Sequence, residues 1–343
     1  MSTQSKLAPL RIAVVSTPHI KAPPEGYGGS EAVASSLAEE LVRRGHQVTL
    51  FATHDSHTAG ALQYFPSALP RGPYDGQAGY REVIHLSHAL ADQTFDLVLN
   101  HCLKAAPALA LYRQAPALTT LHYCPPILDD FPWLDYVAVS RRQAELARGR
   151  GLHVLGVAYN GIDPSPFQVV SAKQDYLLWI GRFHEYKGPD LAIEVAHRLG
   201  ARLLLAAPPP PEDQVDYFES RIRPHLGRDG IAWVGAVEGT DKCRLFEQAR
   251  CTLMPIRWEE PFGLVMVESM AAGTPVIAFR RGSAPELIAD GRTGFLVEDV
   301  ETMAAAVSRT QTIDAQACRR HVEAHFSITA MVDAYLALSR SLR

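Results

Sequence analysis

Two basic residues stand five positions apart in GRFHEYKG, residues 181–188. Arg182 and Lys187 lie between the apolar run LLWI, which predicts a buried strand, and PDLAIEVAHRL, whose apolar spacing predicts a helix. An arginine can clamp an anion with two parallel hydrogen bonds, and a lysine adds a mobile point charge. The stretch therefore predicts an anion site where a strand gives way to a helix. A solvated basic loop is the alternative.

Two glutamates frame the stretch EPFGLVMVE, residues 260–268, with seven residues between them. We expect Glu260 in a loop and Glu268 near the second turn of a helix that starts about Phe262. The N-terminus of that helix, with Gly263, offers N–H groups to a phosphate. A lone carboxylate in an apolar segment needs partners, and Glu268 can accept two hydroxyls, such as those of a ribose.

A glycine-rich loop follows the first predicted strand. Gly26, Gly28 and Gly29 precede the helical pattern SEAVASSLAEEL, and glycines there let the backbone approach a ligand closely. The loop matches neither GxGxxG nor the Walker A pattern. A flexible loop capped by Ser30 is the alternative.

Short apolar runs alternate with helical patterns along the whole chain. The predicted strands are RIAVVS, QVTLFA, DLVLNH, ALTTLH and YVAVS, followed in the second part by YLLWIG, RLLLAA, IAWVGAV, CTLMPI, PVIAF and GFLV. Continuous apolar runs are typical of strands buried on both faces of a parallel sheet. The sequence thus predicts an α/β protein with two doubly wound domains, divided in the polar segment 159–175. We expect ligands outside the carboxyl ends of the strands, in a central cleft that the two domains face.

Composition and charge exclude several classes of protein. The chain has 343 residues, 47% of them hydrophobic, and a net charge of −4, and neither half is basic. Nucleic acid is therefore not an expected partner. No apolar run approaches the roughly 18 residues of a membrane span, and the N-terminal stretch lacks a signal-peptide core, so we expect a cytoplasmic protein. The five cysteines are scattered without a CxxC spacing, which indicates reduced thiols and no metal site.

The motifs taken together resemble the family-4 retaining glycosyltransferases, which have the GT-B fold of two Rossmann-like domains. The resemblance is carried by EPFGLVMVE with the following AAGTPVIA and GSAPELIADGRTGFLVED, by IGRFHEYKG, by YNGIDPSPF, and by GYGGSEAVASSLAEELVRRGHQVTLFA. It runs from about Arg11 to Phe326. It implies domains at 1–165 (acceptor side) and 166–326 (nucleotide-sugar donor side), with a C-terminal helix over 327–343 that crosses back to the first domain.

The resemblance also implies a role for each motif residue. Arg182 and Lys187 would bind the diphosphate of a nucleotide-sugar donor, and Glu268 would hold the ribose hydroxyls. The transferred sugar would be oriented by Glu260 with the backbone of Pro261, Phe262 and Gly263. In the first domain, Gly28 and Gly29 would offer N–H groups to the donor phosphate, His122 in TTLHYCP would lie near the sugar, and His101 in LVLNHC would line the acceptor side.

The implied reaction moves a hexosyl group to an acceptor hydroxyl with retention of configuration. We expect attack from the face that the diphosphate leaves, with a donor phosphate oxygen taking the proton; a double displacement on a carboxylate is the alternative. The chain shows no DxD motif, so metal-independent catalysis without a cofactor is favoured. UDP is the preferred donor nucleotide over GDP and ADP. The acceptor, whether a sugar, a natural product or a lipid-linked glycan, is not identified.

Two alternative functions and one possible partner are also considered. A phosphorylase-like GT-B enzyme would need the same cationic pair, and it predicts phosphate dependence. A catalytically silent sugar-nucleotide-binding partner subunit predicts binding without turnover. Peripheral membrane contact occurs in relatives that act on lipids, but the arginine-rich stretch SRRQAELARGRG is interpreted as a solvated face.

Overall fold

The computed structural model describes residues 8–64, 78–91, 94–112, 114–170 and 172–342. The chain divides into two compact units. The first unit comprises Met1–Val139, Ala144–Gly161 and Ile328–Arg343, and the second comprises Ser140–Gln143 and Ile162–Ser327. The predicted assignment of an acceptor side to the first part of the chain and a donor side to the second stays a prediction.

Within the described residues, the first unit holds a seven-stranded parallel sheet in the order β3-β2-β1-β4-β5-β6-β7. Its strands are β1 Arg11–Val15, β2 Gln47–Phe51, β3 Ala61–Gln63, β4 Leu97–Asn100, β5 Ala117–Leu121, β6 Tyr136–Ala138 and β7 Val154–Val157. The strand order reverses between β1 and β4. The carboxyl ends of these two strands therefore form the switch point where ligands bind in doubly wound sheets.

The second unit holds, in its described part, a six-stranded parallel sheet in the order β10-β9-β8-β11-β12-β13. Its strands are β8 Tyr176–Ile180, β9 Arg202–Ala206, β10 Ile231–Gly235, β11 Cys251–Met254, β12 Val276–Phe279 and β13 Gly294–Val297. Here the order reverses between β8 and β11. The predicted fold class, two Rossmann-like parallel-sheet domains, is confirmed.

Helices connect the strands of both sheets. In the described residues they are α1 Gly29–Arg43, α2 Ala78–Ala91, α3 Ala106–Leu109, α4 Arg141–Gly149, α5 Pro189–Leu199, α6 Val215–Arg221, α7 Gly239–Gln248, α8 Leu264–Ala271, α9 Ala284–Leu287, α10 Val300–Arg309, α11 Ala315–His325 and α12 Ile328–Arg340. Each central strand is buried along its length, as β4 and β8 show, because helices cover both faces of a parallel sheet. Among the described residues, no helix is both long enough and apolar enough to cross a bilayer.

The C-terminal helix α12 belongs to the first unit, although it follows the second unit in sequence. It packs along α1, and the buried hydroxyls of Tyr335 and Thr120 share a hydrogen bond of 2.7 Å. Arg44, just after α1, donates to Asp333 at 2.5 Å. These contacts tie the end of the chain to the first sheet.

Candidate functional site

The sequence-predicted residues of the second unit lie at the switch point of its sheet. β8 and β11 are paired neighbours, and the chain leaving β8 reaches Arg182 and Lys187. The chain leaving β11 reaches Trp258 and Glu260. Two loops that are about 70 residues apart in sequence therefore meet at one edge, because parallel strands direct their carboxyl ends to the same side.

Lys187 and Glu260 form an ion pair at this edge. The ammonium of Lys187 bonds Glu260 Oε2, and the indole Nε1 of Trp258 donates to the same oxygen at 2.7 Å. The Lys187 Nζ also lies 5.2 Å from the centroid of the Trp258 ring. The side chains of Lys187 and Glu260 are only 19% and 11% exposed. Since Oε2 takes both donors, Oε1 of Glu260 is left without a hydrogen-bond donor from the described residues.

Lys187 is held in place by the glycine that follows it. Gly188 caps α5 with φ +69°, and a Cβ there would lie 2.2 Å from the carbonyl oxygen of Pro255. Only glycine permits this approach of the β8 loop to the end of β11. Arg257 adds a second brace, because its guanidinium makes two parallel bonds of 2.7 Å to the carboxylate of Asp190 in the first turn of α5.

Arg182 reaches the same region through an aromatic column formed by His184, Tyr186 and Trp258. Its Nη2 donates to the Tyr186 hydroxyl at 2.7 Å. The Tyr186 ring stacks on His184 at 3.6 Å between centroids and lies 4.9 Å from Trp258. The column thus links the guanidinium of Arg182 to the tryptophan that bonds Glu260. Arg182 and Lys187 therefore both contact the aromatic column, Arg182 at Tyr186 and Lys187 at Trp258.

Glu268 lies on α8 and pairs with a lysine that the sequence did not single out. The Lys242 ammonium, from α7, bonds Glu268 Oε1 at 2.5 Å. The other oxygen, Oε2, is buried and accepts no hydrogen bond from the described residues. An unbonded buried acceptor of this kind is costly, so the carboxylate has unused capacity for a ligand hydroxyl.

The segment between the two glutamates is held by the loop before α9. Pro261 and Phe262 are buried, Ser283 N donates to the carbonyl of Glu260 at 3.0 Å, and the Ser283 hydroxyl bonds the carbonyl of Phe262. The predicted helix start at about Phe262 is corrected to Leu264, because Gly263 takes the left-handed conformation with φ +87° as the N-cap. Gly263 therefore ends the loop and turns the chain into α8.

The glycine loop of the first unit leads into α1. Gly28 is the N-cap with φ +155°, and a Cβ there would lie 2.7 Å from Cβ of Pro24. Gly29 is the first helical residue, and no side chain caps the helix, so the alternative of a cap by Ser30 is wrong. Beneath the loop, Glu31 is buried and bonds the Thr17 hydroxyl; burial raises the pKa of this carboxyl.

The two histidines of the first unit contact each other. His101 follows β4 and His122 follows β5, and His101 Nδ1 and His122 Nε2 share a hydrogen bond of 2.8 Å. Burial lowers the pKa of His122 to about 4 and, with His122 alongside, lowers the pKa of His101 well below its usual range. Both rings are therefore neutral at physiological pH. His101 Nε2 is buried and has no partner among the described residues.

The structure thus brings some predicted residues together and adds others. In the second unit it joins Lys187 to Glu260 and links Arg182 to Tyr186, whereas Glu268 lies on α8 and pairs with Lys242. In the first unit it joins His101 to His122. Sequence reasoning missed Lys242 and Tyr186, whose only signals were a place on a helix and a place within GRFHEYKG. Over the residues that the structure describes, no three or more His, Cys, Asp or Glu side chains converge as metal ligands. Metal independence stays a prediction.

Two family matches cover most of the chain. Residues 27–166 match Glycosyltransferase Family 4, and residues 174–312 match Glycosyl transferases group 1. The chain therefore belongs to the family-4 glycosyltransferases, as its motifs predicted.

Two relatives match the chain over different lengths. The chain is 31% identical to glycogen synthase of Mycobacterium tuberculosis over 196 residues, which cover 54% of the chain and 46% of that enzyme. It therefore spans about half the length of the glycogen synthases that it matches. It is 26% identical to D-inositol 3-phosphate glycosyltransferase of Mycolicibacterium smegmatis, with 96% of the chain and 90% of that enzyme covered.

Solved structures confirm the GT-B fold. Sucrose-phosphate synthase from Thermosynechococcus elongatus superposes with a TM-score of 0.81 at 21% identity, covering 97% of this chain and 99% of that one. HepE from Anabaena, solved in complex with UDP and glucose, superposes with a TM-score of 0.73 at 18% identity, covering 97% and 100%. At these sequence identities the similarity shows a shared fold and nothing about substrates.

Proposed function

We propose that the protein is a retaining glycosyltransferase that moves a hexosyl group from a nucleoside-diphosphate sugar to an acceptor hydroxyl. The observation that carries the proposal is the meeting of Lys187 and Glu260 beside Trp258, at the switch point of the second sheet. Membership of the family-4 glycosyltransferases supports it. The names of the relatives, which are glycosyltransferases and synthases of glycosides, agree with it.

Lys187 and Arg182 would hold the leaving diphosphate. An ammonium has three N–H donors, so Lys187 retains two after bonding Glu260. When the bond from the sugar C1 to the phosphate oxygen breaks, negative charge grows on the diphosphate and positive charge grows on the sugar. Cations already fixed by Gly188 and the aromatic column stabilise that charge without reorganising at the moment of reaction.

Glu260 would orient the transferred sugar. Its Oε2 is occupied by Lys187 and Trp258, which leaves Oε1 for a sugar hydroxyl. Glu268, with its buried unbonded Oε2, would accept a hydroxyl of the ribose. The backbone of Pro261, Phe262 and Gly263 would help Glu260 to orient the sugar.

Retention needs no protein nucleophile in this arrangement. The acceptor oxygen would form its bond to C1 on the face that the diphosphate leaves, and a phosphate oxygen of the donor would take the acceptor's proton. Glu260 is not given the role of nucleophile, because its Oε2 bonds Lys187 and Trp258 and its Oε1 is assigned to a sugar hydroxyl. In the first unit, Gly28 and Gly29 would approach the donor phosphate and His122 the sugar, with His101 toward the acceptor.

UDP is the donor nucleotide that we propose first, and no metal ion or other cofactor is needed in this scheme. HepE, which shares the fold, was solved with UDP and glucose. The acceptor is a hydroxyl of a sugar, a natural product or a lipid-linked glycan.

The proposal is tested by incubating the protein with UDP-glucose, GDP-mannose and ADP-glucose, each with a broad set of acceptors, and measuring release of the nucleoside diphosphate. We expect release from one donor, unaffected by EDTA and reduced at least a hundredfold in Lys187→Met. Arg198→Met, which removes an exposed pair with Glu194 on α5, serves as the matched control and should leave the rate unchanged. The anomeric configuration of the product, read by NMR, tests retention.

The proposal would be overturned if none of the three donors released its nucleotide and turnover required inorganic phosphate and a disaccharide. That result would favour the phosphorylase hypothesis. Tight binding of a donor with no release in the presence of a broad set of acceptors would favour the silent partner.

A further inference from the structure

Lys242 is a basic residue outside the predicted motifs that nevertheless contacts one of them. It is the fourth residue of α7, and α7 packs against α8. Its Nζ is 2.5 Å from Oε1 of Glu268, and the two side chains are 29% and 14% exposed. The contact joins residues that are 26 positions apart and places a charge beside the carboxylate assigned to the ribose.

The two carboxylate oxygens of Glu268 differ in their hydrogen bonding. Oε1 is bonded to Lys242, whereas Oε2 is buried and has no donor in the described part of the chain. A buried acceptor without a donor is costly to keep, and a ligand hydroxyl that reached the carboxylate would relieve the cost. The unliganded structure therefore holds an acceptor group that lacks one hydrogen bond.

Lys242 supplies hydrogen-bond donors beside this acceptor. An ammonium carries three N–H donors, and one of them bonds Glu268. The described residues provide no second acceptor for Lys242, so two donors remain beside the carboxylate. The remaining donors of Lys242 and the unbonded Oε2 of Glu268 thus belong to two side chains that one ion pair joins.

A ribose presents two neighbouring hydroxyls, each of which can donate and accept a hydrogen bond. A carboxylate alone can take the protons of such hydroxyls, but it cannot donate to their oxygens. A lysine–glutamate pair does both. An analogue that lacks one hydroxyl would leave one charged group of the pair without its hydrogen bond to the ligand, and sites of this kind reject such analogues strongly.

We propose that Lys242 is a specificity-determining residue of the nucleotide site, where it acts with Glu268 to read the 2′- and 3′-hydroxyls of the ribose. The donor class would then be ribonucleoside-diphosphate sugars, with 2′- or 3′-deoxy analogues rejected. This inference rests on the proposed function, because it requires that the second unit binds a nucleoside diphosphate.

The test is a set of dissociation constants for UDP, 2′-deoxy-UDP and 3′-deoxy-UDP, with GDP or ADP and their deoxy analogues used if the protein prefers another base. The proteins compared are the parent, Lys242→Met, and the control Arg244→Met, which removes an exposed arginine from the same helix. We expect the parent to bind at least one deoxy analogue about 10- to 150-fold more weakly, as for a lost hydrogen bond to a charged group. Lys242→Met should weaken UDP about tenfold or more and leave that deoxy analogue unchanged, so discrimination collapses.

A merely structural Lys242 would weaken the ribo- and deoxyribonucleotides by the same factor, and that result would overturn the proposal. Equal binding of UDP and both deoxy analogues by the parent would also overturn it, while leaving the nucleotide site intact. Failure of the parent to bind UDP, GDP or ADP would instead overturn the proposed function. Unchanged melting temperatures of both variants show that the fold is retained.

Discussion

Replacing Lys187 by methionine tests two effects of the Lys187–Glu260 pair, one on the stability of the fold and one on the rate of transfer. The change keeps the length of the side chain but leaves the Glu260 carboxylate, 11% exposed, with Trp258 as its one side-chain donor among the described residues. Removing one partner of a fully buried pair costs about 3–5 kcal/mol, and an exposed pair contributes about 0–1 kcal/mol. This pair is largely buried and keeps the tryptophan bond, so we expect a loss of about 2 kcal/mol.

For a unit of about 150–250 residues, a loss of about 2 kcal/mol lowers the melting temperature by roughly 4–8 °C. The double variant Lys187→Met, Glu260→Gln removes the orphaned charge and should recover about half of that loss. Its rate of nucleoside-diphosphate release should stay low, because loss of one preorganised group at the developing charge costs about 10²- to 10³-fold. Thermal denaturation and the release assay are run on the same samples.

Two results would refute this reasoning. A Lys187→Met protein that melts within about 1 °C of the parent, with no gain in the double variant, would show that the pair does not hold Glu260. A release rate within threefold of the parent would show that Lys187 does not face the leaving diphosphate.

Three further predictions follow from the geometry. Glu268→Gln should weaken binding of the preferred nucleoside diphosphate by about 1.5–3 kcal/mol per charge-assisted bond lost, and equal affinity by calorimetry would exclude the ribose role. Gly188→Ala should destabilise the second unit by more than about 1 kcal/mol in chemical denaturation, because its Cβ would lie 2.2 Å from the Pro255 carbonyl at φ +69°. Because the folded-state pKa of His122 is about 4 and that of an unfolded histidine is about 6.5, the stabilisation by its neutral ring is complete above about pH 6.5 and is lost as pH falls toward 4. The double variant His101→Gln, His122→Gln should therefore lose less stability than the parent between pH 6.5 and 5, and parallel curves would contradict the assignment.

The sequence predicted the central strands well because their burial leaves a simple signal. RIAVVS, DLVLNH and YLLWIG are continuous apolar runs, and their strands β1, β4 and β8 are the central strands beside the two switch points. The edge strands β3 and β7 were not predicted. β3 has three residues with exposed ends, and β7 contains Gly156, so neither carries a long apolar run.

The site was only partly predictable, since its contacts depend on topology. The cationic motif and the two glutamates were visible in the sequence, but the bond between Lys187 and Glu260 exists because β8 and β11 are neighbours. Strand order cannot be read from local patterns. The place of Lys242 on a helix was too weak a signal to single it out, because a lysine near the start of a helix is common and its partner lies 26 positions away.

The most direct test of the account is a calorimetric titration of the protein with UDP, GDP and ADP, each with and without EDTA. We predict micromolar binding of one nucleotide, UDP first, with the same affinity in EDTA and weaker binding in Glu268→Gln. That result would support a metal-independent nucleotide-sugar site in the second unit. Absence of binding to all three nucleotides would contradict the assignment of Arg182, Lys187 and Glu268, and with it the proposed transfer reaction.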